Sequence, residues 1–112
     1  MTINFNEEIR LISTEADQIQ AIEVADLDSD GFMEIIASDG TTNLGELIIF
    51  PNNTTEAGSE IVIGSRLEFE SKLFPFGLSV GDINGDGKVD IAMGILEAGE
   101  TNIDLFLNSS SA

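Results

Sequence analysis

Asp82-Ile83-Asn84-Gly85-Asp86-Gly87-Lys88-Val89-Asp90 constrains this chain more than any other stretch. Side-chain oxygens fall at loop positions one, three, five and nine. Gly87 stands at position six, where a tight loop reverses direction and positive φ costs glycine least. Oxygen donors alternating around a turn suit a hard cation, calcium above all, which takes about six to eight oxygens in flexible geometry. A second copy lies upstream as Asp26-Leu27-Asp28-Ser29-Asp30-Gly31-Phe32-Met33-Glu34, with Gly31 at position six. The loops start 56 residues apart in a chain of 112, which reads as one unit written twice, over 1–56 and 57–112.

The spacing names the candidate ligands. Asp26, Asp28, Asp30 and Glu34 serve the first loop, with the Phe32 carbonyl. Asp82, Asn84, Asp86 and Asp90 serve the second, with the Lys88 carbonyl and water. One calcium per unit, two per chain, is expected. Without a cation the first loop's acids repel at about 4 kcal/mol per pair, for charges about 4 Å apart at an effective dielectric of about 20. EF-hand and dockerin loops share the first six positions but need an acidic ligand at position twelve. Ala37 and Met93 occupy it here, within apolar strand sequence, so both families are rejected.

Composition narrows the functions. There is no cysteine, so neither a disulfide framework nor a thiolate metal site exists. There is no histidine, which removes the usual general base and any Ser-His-Asp arrangement. The net charge of −17 repels nucleic acid and anionic membranes. With 42% of residues apolar, a packed core is expected over disorder. No stretch reaches the roughly 18 apolar residues of a membrane span, so no membrane insertion is expected. Residues 1–5 lack the basic segment and apolar core of a secretory signal. Either the chain does not leave by that route, or its sequence begins after such a signal.

Strands are expected over 3–13, 19–25, 33–38 and 47–50, then over 61–69, 75–80, 89–95 and 103–107. Turn chemistry falls at 39–45, where Asp39-Gly40 is the strong local signal, at 51–58 and at 97–102. A shift of 56 residues also aligns Arg10 with Arg66, Leu11 with Leu67, Val24 with Val80, Ile35 with Ile91, Phe50 with Phe106 and Asn52 with Asn108. No helical period of useful length is present. The expected class is all-β, and four short strands per unit is the pattern of a propeller blade.

From Phe76-Gly77-Leu78-Ser79-Val80-Gly81 through the second loop to Ile91, the chain resembles the FG-GAP/VCBS repeat of integrin alpha heads and bacterial surface proteins. The first copy departs from that pattern. Gln20-Ala21 replaces Phe-Gly, Ser29 replaces the loop glycine, Glu34 replaces the last aspartate, and neither copy has the closing Gly-Ala-Pro. The resemblance implies a β-propeller of four-stranded antiparallel blades, two blades per chain, with each cation loop joining the two inner strands. It also implies an extracellular or cell-surface setting. Residues 61–69 then complete the first blade, the second blade lacks an outer strand, and residues 3–13 complete a neighbouring chain's blade against its residues 103–107. Two blades cannot close a ring, so a homo-oligomer is expected: four chains for eight blades or three for six. The alternative is a segment of a longer propeller.

Three functions follow. The first is a non-catalytic, calcium-stabilised module for structure or protein interaction. The second is a lectin with glycan sites between blades, weakened by the absence of tryptophan and tyrosine. The third is a carboxylate-pair hydrolase, for which Glu7, Glu8, Glu15, Glu23, Glu46 and Glu60 offer no pair by spacing. Arg10 and Arg66 are expected to pair with surface acids. Phe74 and Phe76 are expected in the core between blades. The glycosylation-like Asn52-Asn53-Thr54 and Asn108-Ser109-Ser110 are expected to be plain turn residues.

Overall fold

The computed structural model describes residues 1–5, 7–11, 18–40, 45–71 and 74–110. Seven strands follow in order: β1 (Ile19–Ala25), β2 (Glu34–Asp39), β3 (Glu46–Phe50), β4 (Leu67–Glu70), β5 (Pro75–Gly81), β6 (Asp90–Glu97) and β7 (Glu100–Phe106). They form two antiparallel sheets, one in the order β1-β2-β3-β4 and one in the order β5-β6-β7. The first sheet has the four strands expected of a blade, with β4 as the outer strand. Among the described residues the second has no fourth strand beyond β7.

The 56-residue repeat extends to the register. Val24 pairs with Ile35 in the first sheet, and Val80 with Ile91 in the second. Ile35 pairs with Phe50, and Ile91 with Phe106. The first inner strand of each sheet is bulged at the same place, between Ile19 and Ala21 and between Pro75 and Gly77. Such a bulge admits one extra residue and sharpens the local twist.

The sheets pack face to face. Ala25, Leu27, Ile36 and Leu47 of the first unit meet Ile91, Met93 and Ile95 of the second in one apolar cluster. Each fully buried side chain of this size contributes about 1.5–3 kcal/mol. A smaller cluster of Ala37, Ile48 and Phe50 occupies the other face of the first sheet, capped by Ile19, Ile35 and Ile63. β2 is the most buried strand of the first sheet and β6 of the second. The radius of gyration is 15.2 Å, against about 13 Å for a compact chain of this length. The molecule is therefore more open than a closed globule.

Several expectations are corrected. Residues 3–5 and 7–11 form no strand, and all are exposed; Asn6, Ile12 and Ser13 of the same segment lie outside the described residues. A strand needs a ladder partner, and β4 already covers the outer edge of the first sheet. The expected strand over 61–69 contracts to Leu67–Glu70, preceded by a single bridge between Asn52 and Ile63. The turn at 97–102 is only two residues long. Ala98 and Gly99 both take positive φ (52° and 79°), so a type I′ turn joins β6 to β7.

The turn expected at 39–45 falls between the paired strands β2 and β3. Asp39 ends β2 opposite Glu46, and residues 41–44 lie outside the described residues. Gly40 is needed for close approach: a Cβ there would lie 2.8 Å from Gln20 Cγ and 3.1 Å from the Pro75 carbonyl oxygen. Phe74 and Phe76 do not enter the core; they are 42% and 48% exposed. Phe76 sits at the bulge and lays its ring over Gly94. Arg66 does pair with Glu68 (2.7 Å) and Glu46 (3.9 Å), and Arg10 with Glu8 (3.7 Å).

Candidate metal centres

Each acidic loop joins the first two strands of its sheet, β1 to β2 and β5 to β6. Both loops wind the same way because positions four and six are left-handed. Ser29 (φ 62°) and Gly31 (92°) hold them in the first, Gly85 (78°) and Gly87 (88°) in the second. Glycine takes this region freely, while serine pays a steric cost against its Cβ.

The first aspartate of each loop is the hub. Asp26 Oδ1 accepts from the Asp30 N–H (3.1 Å), and Oδ2 from the Gly31 N–H (2.9 Å). Asp82 Oδ1 accepts from Gly85 N–H (2.9 Å) and Asp86 N–H (3.1 Å), and Oδ2 from Gly87 N–H (2.7 Å). At position five, Asp30 Oδ1 accepts from Phe32 N–H (2.9 Å) and Asp86 Oδ1 from Lys88 N–H (3.0 Å). These bonds turn carboxylate oxygens inward without a metal.

Position nine ties the loop to the end of the unit. Glu34 and Asp90 are 4% and 0% exposed. Glu34 Oε1 accepts from Leu27 N–H (2.7 Å) and Oε2 from Asn52 N–H (3.3 Å). Asp90 Oδ2 accepts from Ile83 N–H (2.8 Å) and Oδ1 from Asn108 N–H (2.7 Å). The asparagine side chains complete the clasp. Asn52 Nδ2 donates to the Met33 carbonyl (2.9 Å), and Asn108 Nδ2 to the Val89 carbonyl (2.8 Å). Asn108 Nδ2 also reaches the Leu27 carbonyl of the other unit. Asn52 is 9% exposed, so it anchors the corner instead of acting as a plain turn residue. Sequence reasoning missed this role. The signal was the exact pairing of Asn52 with Asn108 under the 56-residue shift.

Asp26, Asp28, Asp30 and Glu34 each place one carboxylate oxygen within 4.8 Å of the others, as do Asp82, Asp86 and Asp90. Oxygens around one calcium, each about 2.3–2.6 Å from it, lie up to about 5 Å apart. The spread and the all-oxygen donor set fit that ion. Carboxylate oxygens carry two lone pairs each, so accepting an N–H leaves capacity for a cation. Phe32 and Lys88 lie at position seven with their N–H groups committed to Asp30 and Asp86. Asn84 stands at position three of the second loop, and its backbone N–H also supports the Asp90 carboxylate. Ala37 and Met93, at position twelve, are buried strand residues that offer no oxygen side chain.

The electrostatics of the two corners differ. The Gly31 N–H holds Asp26 below the usual carboxylate range, and the Asn108 N–H does the same for Asp90. Asp28 is pushed up to about 6, first by burial, then by its hydrogen bond to Asp30 and the nearby charges of Glu34 and Asp30. Among the described residues no lysine or arginine forms an ion pair with any of these carboxylates.

Residues 74–101, which span β5, the second loop, β6 and the start of β7, match the family model of the FG-GAP repeat. No curated protein and no solved structure matches the chain. The first unit, with Gln20, Ser29 and Glu34 at the divergent positions, lies outside the matched stretch while keeping its strand order, bulge and clasp. Residues 74–101 are thus similar to an FG-GAP repeat and are preceded by a sheet built to the same plan.

Proposed function

We propose that the chain is a non-catalytic, β-propeller-type module for structure or protein interaction, stabilised by one calcium ion in each loop. One observation supports this above the rest: both corners gather three or four carboxylate oxygens within 4.8 Å, and among the described residues no basic side chain pairs with them. A cation relieves that repulsion and favours the folded state by mass action, by about 2.7 kcal/mol at a hundred times its dissociation constant. Backbone N–H groups hold these carboxylates as acceptors, which suits a resident ion better than proton transfer. Calorimetric titration tests the reading: two calcium ions per chain are expected, with a melting temperature several degrees lower after chelation. Asp86→Ala should reproduce part of that loss. Absence of binding heat together with an unchanged melting temperature defeats it.

A second reading, a glycan-binding module, draws on one feature. A cleft of about 340 Å³ lies between the sheets, with Phe69 and Phe106 in its walls and Asn108, Ser109 and Ser110 among its lining residues. A glycan array probed with the calcium-loaded protein separates the two readings.

A further inference from the structure

Each end of the chain carries half of an interface whose complete form lies in its middle. Inside the chain, Leu27 and Leu47 of the first unit are 9% and 1% exposed against the second sheet. Their counterparts 56 residues later, Ile83 and Ile103, are 49% and 73% exposed. Ile49 packs at the margin of that interface, whereas its counterpart Leu105 is 53% exposed. The other half behaves alike at its rim, while Ala37 and Phe50 on the same face, the counterparts of Met93 and Phe106, are already buried within the chain. Leu78, Val80 and Val89 of the second unit pack against the cluster, while their counterparts Ile22, Val24 and Met33 are 64%, 52% and 52% exposed. Contiguous apolar surface of this kind marks a contact site.

We propose that a second copy of this chain docks head to tail, setting the outer face of its first sheet on the outer face of the second sheet and so repeating the internal interface. Three features select a second copy as the occupant. The two faces are related by the 56-residue shift to the two surfaces that the chain joins in its middle, although Ile36, Met93 and Ile95 there become Ala92, Ala37 and Asp39 on the outer faces. The clasp is duplicated: Asn108 Nδ2 donates to the Leu27 carbonyl across the internal boundary. Asn52 is held in the same pose, by Glu34 and Met33, and the counterpart of Leu27 is Ile83 of the neighbour. Among the described residues β7 has no partner beyond β6, and its edge would meet the same neighbour. Leu67 of β4 pairs with Ile49 of β3, and the matching pair across copies is Leu11 of one with Leu105 of the other. Phe5, Ile9 and Leu11, which are 91%, 50% and 37% exposed, gain cover by that pairing.

The two faces differ, so the contact is heterologous, and closure after three or four copies yields six or eight sheets. Both copies carry the same negative charge, so the contact is read at physiological salt, where repulsion over more than about 8 Å is screened.

Light scattering after size exclusion, in calcium and at physiological salt, tests the proposal. The wild-type chain should exceed monomer mass. Val24→Glu should block one face and Leu105→Glu the other, each leaving a monomer with the wild-type far-UV circular dichroism. An equimolar mixture of the two variants retains one intact pair of faces and should form a dimer. Met33→Glu and Ile103→Glu repeat the test at independent exposed positions. A monomeric wild type overturns the proposal, as does assembly that survives both single variants. A mixture that stays monomeric overturns it too; that result, or capture only by a different protein, assigns the faces to another occupant.

Discussion

Asn108 Nδ2 lies 2.6 Å from the carbonyl oxygen of Leu27, joining residues 81 positions apart. The same nitrogen also holds the Val89 carbonyl, while Asn108 Oδ1 accepts from the Ser110 N–H (2.8 Å). One side chain therefore closes the second sheet's corner and fastens it to the first. Asn108→Ala strands two carbonyls and should cost about 2 kcal/mol, or roughly 10 °C in melting temperature. Asn52→Ala removes the clasp within one sheet only and should cost less in the monomer. Chemical denaturation of both variants in calcium checks the order.

Acidity should distinguish the two corners. Asp28 has its folded pKa raised to about 6 from the ordinary 3.8. Its ionised form opposes folding, so the calcium-free protein gains stability from this group as pH falls from above 6 toward 3.8. Asp26 and Asp90 are shifted the other way. Their contribution is present above 3.8 and is lost as pH falls through their depressed folded values. Thermal melts of the calcium-free protein should improve between pH 7 and about 5, then deteriorate in stronger acid. Calcium binding at the first loop, isolated in an Asp86→Ala background, should weaken as pH falls through about 6, because Asp28 must give up its proton. Asp28→Asn should stabilise the calcium-free protein at pH 7 and weaken calcium binding at the same loop.

Ser29 holds φ 62° where the second loop has Gly85. Ser29→Gly removes the Cβ conflict and should raise stability by about 1 kcal/mol, net of the extra freedom glycine has when unfolded. Denaturation in calcium-free buffer is the measurement.

Gly40 is the close-contact point beside β5. Gly40→Ala places a methyl group 3.1 Å from the Pro75 carbonyl and 2.8 Å from Gln20 Cγ. Backbone on one side cannot yield as a side chain can, so a loss of about 1–3 kcal/mol is expected. Gly31 has nothing within 4 Å of the same position, so Gly31→Ala is strained only by its backbone and separates the two causes.

Strand order was legible from hydrophobic alternation around a specific loop, and the offset of the two sheets from the resemblance to the FG-GAP/VCBS repeat, which sets that loop between the two inner strands. β4 completes the first sheet and β7 leaves the second open, as that reading required. The ladder could not be read at the N-terminus: Phe5, Ile9 and Leu11 look like strand residues, but pairing is decided by a partner edge, not by propensity. The turn at 97–102 was legible but its two-residue form was not, because alanine is an unusual first residue for a type I′ turn. Phe76 looked like core because it is large and apolar, yet the bulge turns it onto the face covering Gly94. At the corners, spacing marked the oxygens at positions one, three, five and nine. That position nine also receives an N–H from Asn52 or Asn108 depends on a fold-back 18 residues away, which no local pattern carries.

Glu34 and Asp90 differ by one methylene, yet both deliver two oxygens to equivalent pairs of donors. The architecture is thus indifferent to side-chain length there but not to chemistry, since an amide would turn an NH₂ toward one of the donors. An acid at the ninth place is demanded by the scaffold itself. A corner that had given up ions altogether would still keep it, and its history would be written instead in whichever of the first, third and fifth places had lost an oxygen.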